Sequence, residues 1–189
     1  KGTVVPVGKD QLPHLELTRT IARRFNNRFA EHKPVFPEPQ PLLSEAPIIL
    51  GLDGSQKMSK SRNNAIMLSA DEDETARLIK RAKTDSERRI TFDPTNRPEV
   101  SNLVMLAALS TGRKPEEIAE EIGDGGGGKL KQVVTESLNE YLRPLRARRK
   151  ELEQNLDYVR DVLRQGVAAA REEAIQTLNE VREVMNMTL

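Results

Sequence analysis

Two lysines and two serines fall within five consecutive positions of the segment GLDGSQKMSKSRNN, residues 51–64. Lys57 and Lys60 are three residues apart, so one helical turn would direct both ammonium groups to the same side. A movable pair of cations is suited to bind the charge that develops on phosphate oxygens during a displacement. Ser59 and Ser61 can donate hydroxyl hydrogen bonds to the same oxygens. The segment therefore predicts a phosphate-binding loop, and an ordinary polar loop is the alternative that its composition also permits.

Three neighbouring residues bear on how this loop would work. Gly51 and Gly54 allow hinge conformations of the backbone that other residues resist. Met58 offers an adaptable apolar contact for a flat ring. We therefore predict a loop that changes conformation when a ligand binds.

The segment VPVGKDQ, residues 5–11, supplies a second candidate contact. It places a glycine, a carboxylate and an amide at the carboxyl end of a predicted strand, where α/β folds bind ligands. Gly8 would allow close approach of the backbone, and Asp10 could accept a hydrogen bond from ribose hydroxyls or an ammonium group. The alternative is a plain turn in which Asp10 caps the following helix.

The composition limits the class of protein. The 189 residues include 30 lysines and arginines against 29 acidic residues, so any attraction to nucleic acid must come from local clusters of charge. No cysteine occurs, which excludes disulfides and thiolate chemistry, and with two histidines we predict no metal site. No apolar run has membrane-spanning length and no signal peptide is evident, so we expect a cytoplasmic protein.

The first third of the chain predicts one strand–helix–strand unit. Thr3–Val7 and Ile48–Leu50 predict strands. Between them, Asp10 is predicted to cap an amphipathic helix that extends to Phe29, and a proline-rich connector follows it. A single unit of this kind cannot form a covered parallel sheet alone.

The remainder is predicted to be a helical bundle. Ser69 and Glu72 make a capping box for its first helix. A short strand is predicted at Ile90–Phe92, and Pro144 should kink or divide the longest helix. The later predicted helices are Val100–Ser110, Pro115–Glu121, Lys129–Gln154, Asp157–Arg164 and Val167–Met187.

Two other clusters admit a binding interpretation. GDGGGGK (123–129) matches most of a phosphate-binding P-loop, but Leu130 stands where Mg²⁺ requires a hydroxyl residue, which favours a flexible interhelical loop. A basic cluster lies along the longest predicted helix, either as a solvated face balanced by glutamates or as a contact for RNA phosphates. Its members are Arg143, Arg146, Arg148, Arg149 and Lys150.

These residues resemble a known family. KMSKS (57–61) is the signature of class I aminoacyl-tRNA synthetases, and residues 5–26 are similar to the segment that precedes it in tryptophanyl-tRNA synthetases. The run HLELTR (14–19) favours tryptophan over tyrosine. TDSERRITFDP, RPEVSNLVMLAALSTG and EYLRPLRARR, farther along the chain, are also similar to the bacterial-type tryptophanyl enzymes.

The resemblance implies activation of tryptophan with Mg·ATP and transfer of the product to tRNA(Trp), with no permanently bound cofactor. The substrate carboxylate attacks the α-phosphate, so the protein supplies positioning and charge stabilisation instead of a nucleophile. Lys57 and Lys60 are the implied catalytic residues, and Asp10 and Gln11 the implied contacts for tryptophan. The implied ATP-binding residues are Gly8, Lys9, Asp10, Ile48, Ile49, Lys57, Met58, Ser59, Lys60 and Ser61. Arg143, Arg146 and Arg149 are the implied tRNA contacts.

The resemblance also implies a mainly α-helical architecture. Residues 1–68 would be the carboxy-terminal part, or remnant, of a Rossmann-like α/β nucleotide-binding catalytic domain, and residues 69–189 a helical anticodon-binding domain. The family's first nucleotide-binding half should precede Lys1, so we expect the 189-residue chain alone to be inactive. The resemblance also implies that the parent protein is a homodimer. The sequence departs from the family at Lys9, where glutamate is common. The alternatives are a tyrosine–tRNA ligase fragment and a non-catalytic helical RNA-binding module.

Overall fold

The computed structural model describes residues 1–44, 46, 48–54 and 57–187, which are mainly helical. They form two compact units, one of residues 1–48 and 154–189 and the other of residues 49–153. The helices of the described residues are α1 Leu12–Phe29, α2 Glu72–Arg81, α3 Pro98–Thr111, α4 Pro115–Ile122, α5 Gly126–Glu153 and α6 Leu156–Val184.

The first unit contains a two-stranded parallel sheet. Strand β1, Val4–Pro6, confirms the first predicted strand, and it pairs with β2, Gln40–Leu42. The prediction of a strand at Ile48–Leu50 is wrong, because the second strand lies in the proline-rich connector. Pro41 is tolerated there because every strand of a two-stranded sheet is an edge.

Helix α1 packs against the connector that follows it. A 3-10 turn at Lys9–Gln11 precedes the helix, so the prediction that Asp10 is its cap is wrong. The Phe25 ring lies 5.1 Å from the Phe36 ring, centroid to centroid. Asn26 donates to the Phe36 carbonyl oxygen at 2.7 Å, which fixes the connector to the helix.

Helix α6 also belongs to the first unit. Asn155 caps it by accepting a hydrogen bond from the Tyr158 N–H at 3.2 Å. The predicted interruption before Val167 is wrong, because Gly166 lies inside one continuous helix. Glycine lowers helix propensity by about 1 kcal/mol, which the remaining turns tolerate.

The second unit holds the main hydrophobic core, between α2, α3 and α5. The largest fully buried apolar residues are Ile79, Val100, Leu103, Val104, Leu130 and Val134. Helix α3 is apolar around most of its circumference, as expected for a central helix. Its C-cap is Gly112, whose φ of 69° lies in the left-handed region that glycine adopts without strain.

Three boundaries in this unit differ from the predictions. Helix α2 is capped by Asp71, whose Oδ1 accepts from the Glu74 N–H at 2.7 Å, so the capping box at Ser69 is wrong. The predicted loop over residues 123–129 is wrong in its second half, because α5 begins at Gly126. Of the two effects predicted at Pro144, a kink or a division, the division is wrong, because α5 is continuous there.

A buried arginine organises the connection between α2 and α3. Arg97 Nε and Nη2 donate to the two carboxylate oxygens of Asp85, each at 2.7 Å. Arg97 Nη1 donates to the Arg89 carbonyl oxygen at 2.7 Å and to Thr91 Oγ1 at 2.8 Å. These contacts hold residues 90–92 in an irregular conformation, so the predicted strand there is wrong.

Candidate functional site

The KMSKS residues 57–61, here called the lysine segment, lie against residues 49–50 of the second unit. Lys57 forms an isolated antiparallel bridge with Leu50, and the Met58 N–H donates to the Ile49 carbonyl oxygen at 2.8 Å. A 3-10 turn, Lys60–Arg62, follows, and its C-cap is Asn63, whose φ of 52° is left-handed. The two lysines therefore do not share one helical turn: Lys57 lies in a bridge and Lys60 opens the turn.

Two asparagine side chains hold the backbone of this region. Asn102 of α3 accepts from the Leu50 N–H at 2.9 Å and donates to the Leu50 carbonyl oxygen at 3.1 Å. Asn64, only 4% exposed, accepts from the Ser59 N–H at 2.8 Å through Oδ1. Its Nδ2 donates to Asp53 Oδ1 at 3.1 Å. Buried polar groups require such partners, so these bonds restrict the conformation of the segment.

Gly51 is required by close packing. A Cβ at this position would lie 2.0 Å from Asn64 Nδ2 and 2.6 Å from Asp53 Oδ1. The Leu52 N–H donates to the Asn64 carbonyl oxygen at 2.9 Å, which brings the two backbones together. Glycine is therefore required here because a side chain would overlap Asn64 and Asp53.

Residues 52–54, which precede the lysine segment, are held by contacts with Lys83 and with Glu99 at the start of α3. The Lys83 N–H donates to the Leu52 carbonyl oxygen at 2.7 Å, and Lys83 Nζ lies 2.9 Å from Glu99 Oε1. The hydrogen bond from Lys83 holds the pKa of Glu99 below its usual value. Gly54 adopts a φ of 72° beside both side chains.

The polar side chains of the lysine segment remain at the surface. Lys57, Lys60 and Ser61 are exposed, and Ser59 Oγ lies 2.9 Å from Ser61 Oγ. Met58 instead packs against the hydrophobic core. The backbone is therefore anchored by an apolar residue while the ammonium and hydroxyl groups face solvent.

A groove of about 430 Å³ runs beside this segment. Its polar lining consists of Ser59, Lys60, Ser69 and Arg149, and its apolar lining includes Met58. The groove combines two cationic side chains with hydroxyl donors, which is the chemistry that a phosphate group requires.

The upstream candidates belong to the first unit. Gly8 begins the 3-10 turn with φ −76°, so its conformation is open to other residues. Lys9, Asp10 and Gln11 are exposed, and Gln11 Nε2 donates to Asp10 Oδ2 at 2.7 Å. Ile48, also in this unit, is exposed, whereas Ile49 packs on the core of the second unit.

The basic cluster on α5 divides by its contacts. Arg146 donates to the Ala70 carbonyl oxygen at 2.9 Å and to Thr75 Oγ1 at 2.8 Å, so it contributes to the fold. Arg143 pairs with Glu140, and Arg149 Nε donates to Glu153 Oε1 at 2.8 Å. A second groove of about 600 Å³ lies between α5 and the start of α2, lined by all three arginines.

Among residues 1–44, 46, 48–54 and 57–187, no group of three or more His, Cys, Asp or Glu side chains could hold a metal ion. Helices in the same part of the chain are too short or too polar to cross a membrane.

Asn64 and Asn102 are site residues that were not predicted from the sequence. Asn64 directly follows Asn63, and two adjacent asparagines after a glycine-containing loop are a general turn signal. Asn102 lies 52 residues from Leu50 inside an apolar helix, where a single asparagine gives no indication of its partner.

The sequence profile of the tRNA synthetases class I (W and Y) matches residues 1–143. The chain belongs to this family. It is 42% identical over 186 residues to the tryptophan–tRNA ligase of Nostoc sp., covering 96% of the chain and 56% of that relative. It is 41% identical over 193 residues to the Aquifex aeolicus tryptophan–tRNA ligase, covering 99% of the chain and 47% of that relative.

Solved structures of synthetases are similar to this chain. Tryptophanyl-tRNA synthetase from Mycoplasma pneumoniae matches with a TM-score of 0.80 at 26% identity, over 98% of this chain and 56% of that one. The Campylobacter jejuni enzyme, complexed with ADP and tryptophan, matches with a TM-score of 0.67 at 29% identity, over 97% and 56%. The chain thus spans about half the length of the relatives it matches, and its predicted resemblance to tryptophanyl-tRNA synthetases is confirmed.

Proposed function

We propose that this chain forms the phosphate-binding and helical part of a tryptophan–tRNA ligase. The proposed reaction activates tryptophan with Mg·ATP to tryptophanyl-adenylate and transfers the tryptophanyl group to tRNA(Trp). The observation that carries the proposal is the lysine segment and its support. Buried Asn64 accepts from the Ser59 N–H, Asn102 holds the adjoining Leu50, and Lys60 lines a groove. The similarity to tryptophan–tRNA ligases and to a structure with ADP and tryptophan supports it.

In this proposal Lys57 and Lys60 bind the ATP phosphates and stabilise the departing pyrophosphate. The carboxylate of tryptophan attacks the α-phosphorus, the bond to the bridging oxygen breaks, and pyrophosphate leaves with the negative charge. Ser59 and Ser61 donate hydroxyl hydrogen bonds to the phosphate oxygens, and Met58 lies against the nucleotide. Cations carried beside the phosphates by an ordered backbone stabilise charge in the transition state with little reorganisation.

The remaining contacts are proposed from the first unit and from α5. Gly8, Lys9 and Asp10 would meet the ATP ribose region, Asp10 and Gln11 the tryptophan ammonium group. Ile48 or Ile49 would offer its backbone to the adenine. Arg143, Arg146 and Arg149 are the proposed tRNA contacts, and the many internal hydrogen bonds of Arg146 make Arg143 and Arg149 the more available pair.

The proposed architecture follows the same family pattern. Residues 1–68 would be the remnant of a Rossmann-like domain and residues 69–189 an anticodon-binding domain, in a cytoplasmic protein whose parent is a homodimer. The two-stranded parallel sheet, with α1 between its strands in sequence, supports the α/β assignment of the first part.

Amino-acid-dependent exchange of pyrophosphate into ATP tests the proposal, with the protein at its full natural length. We expect exchange with tryptophan and none with tyrosine. Lys57→Ala and Lys60→Ala should each lower kcat by at least about tenfold, or ~1.4 kcal/mol. Lys114→Ala, which removes an exposed lysine at the start of α4, is the control and should leave kcat unchanged.

Three outcomes would contradict the proposal. Exchange that depends on tyrosine would favour a tyrosine–tRNA ligase. Lysine variants with the kcat of the Lys114→Ala control would refute the role given to the lysine segment. Exchange with neither amino acid would favour a non-catalytic RNA-binding module.

A further inference from the structure

We propose that Asn102 and Asn64 are positioning residues for the reaction, each fixing the backbone that carries one of the two lysines. Neither side chain is assigned a contact with substrate, so both would act through the lysine segment. This inference rests on the proposed function, because it concerns the same phosphate-binding cations.

Asn102 fixes Lys57 through Leu50. Its side-chain amide meets both backbone groups of Leu50, at 2.9 Å and 3.1 Å, and so determines the position and the rotation of that residue. Leu50 in turn forms the antiparallel bridge with Lys57. Since Asn102 lies between Ser101 and Leu103, which are 2% and 1% exposed, its own backbone is held in the centre of the core.

Asn64 fixes Lys60 through Ser59. Its Oδ1 accepts from the Ser59 N–H at 2.8 Å, immediately before the turn that Lys60 opens. The Asn63 N–H closes that turn by donating to the Lys60 carbonyl oxygen at 3.2 Å. The Asn64 amide occupies the space that a Cβ at position 51 would take. The Asn64 side chain is thus packed closely against Gly51 and has little freedom to move.

Only a side chain with both a donor and an acceptor can make these contacts. Asn102 uses both on one residue, and Asn64 uses its acceptor on Ser59 and its donor on Asp53. Loss of either amide would leave the corresponding lysine on a backbone that samples several positions. A misplacement of about 1 Å in a catalytic group can lower the rate by about 100-fold.

A pair of double-mutant cycles tests the inference in the protein at its full natural length. Asn102→Ala and Asn64→Ala should each lower kcat for tryptophan-dependent exchange by at least about tenfold, with KM for tryptophan within about twofold. In the Lys57→Ala background, Asn102→Ala should have an additional effect below about threefold, because the group it positions is absent. The same should hold for Asn64→Ala in the Lys60→Ala background.

The control is Ser101→Ala on the same helix. Ser101 is buried, and its Oγ accepts from the Asp93 N–H at 2.8 Å, away from the lysine segment. We expect Ser101→Ala to lower the melting temperature without lowering kcat. If Asn64→Ala does not fold, Asn64→Leu replaces it, since leucine has a similar volume and lacks the acceptor for the Ser59 N–H.

Amide hydrogen exchange in the same protein measures the anchoring directly. Asn102→Ala should accelerate exchange at the Leu50 amide and Asn64→Ala at the Ser59 amide, each by at least about tenfold. Unchanged rates of hydrogen exchange at both amides would overturn the inference, whatever the pyrophosphate-exchange assay shows. If the asparagine and lysine substitutions lower kcat by factors that multiply fully in both cycles, the residues act independently. This result would also overturn the inference but would leave the proposed function intact. Lysine variants with unchanged kcat would instead overturn the proposed function.

Discussion

The Arg97–Asp85 pair should contribute far more to stability than a surface ion pair of similar length. Arg97 donates two hydrogen bonds of 2.7 Å to Asp85, and its side chain is 8% exposed. It also satisfies the Arg89 carbonyl oxygen and Thr91 Oγ1. Arg97→Met keeps most of the aliphatic volume while it removes every donor, so it isolates the polar contribution.

The expected loss of unfolding free energy follows from the Asp85 carboxylate, which Arg97→Met leaves without its partner. Removing one partner of a buried ion pair costs about 3–5 kcal/mol, because the other charge stays buried. Asp85 is 31% exposed, so water can partly solvate its carboxylate, and the lower end of the range applies, about 3 kcal/mol. For a chain of 189 residues this free energy corresponds to a loss of about 6–12 °C in melting temperature.

Thermal and urea unfolding, followed by circular dichroism, measure this loss. The matched control is Arg113→Met, because Arg113 Nη2 lies 2.6 Å from Glu121 Oε2 but the two side chains are 44% and 64% exposed. An exposed pair contributes about 0–1 kcal/mol, so this variant should be close to the wild type. Equal losses for Arg97→Met and Arg113→Met would refute the reasoning.

The same pair predicts a pH dependence. Hydrogen bonds from Arg97 hold the pKa of Asp85 below its usual value. A carboxyl with a lowered folded-state pKa stabilises the fold above its unfolded pKa of about 3.9, and the contribution is lost as the pH falls through the folded-state value. The difference between wild type and Arg97→Met should therefore shrink as the pH is lowered below about 4. A difference that stays constant into this acid range would contradict the assignment.

Four further substitutions test other local features. Asp71→Ala should cost about 1 kcal/mol of unfolding free energy and Ser69→Ala little, as measured by urea unfolding, because Asp71 caps α2. Gly166→Ala should raise the free energy of unfolding by about 0.5–1 kcal/mol in the same measurement, since the helical Gly166 has open space around its Cα. Gly51→Ala should lower both kcat for exchange and stability, the latter by about 1–3 kcal/mol, because its Cβ would displace Asn64.

Local signals predicted the helices well where their period was clear. Helix α1 follows an apolar repeat and ends near Phe29 as predicted, and α4 begins at Pro115. The errors arose at glycines, whose local preference is overridden by the helical residues around them. Gly126 starts a helix and Gly166 continues one, although glycine in a sequence indicates a break.

Long-range pairing accounts for the rest of what the sequence did not reveal. Strand β2 forms because β1 lies beside it, and neither Pro41 nor its neighbours have a strong strand preference. The lysine segment was recognisable because its residues are adjacent in the chain. Asn102 was not, because its partner Leu50 is far away in sequence and the contact depends on the packing of α3.

The lysine segment combines an ordered backbone with exposed charges. Lys57 and Lys60 cannot be buried without partners, which is why their composition predicted a movable loop. In the structure, hydrogen bonds hold the neighbouring backbone at Leu50 and Ser59, and the Lys57 and Lys60 side chains are exposed. Ordering the backbone of one residue costs about 1–2 kcal/mol, and the asparagine hydrogen bonds offset this cost before a ligand binds. On the proposed function, interaction with the phosphates can then stabilise the transition state instead of ordering the protein. The uncharged amides would thus determine how effective the two cations are.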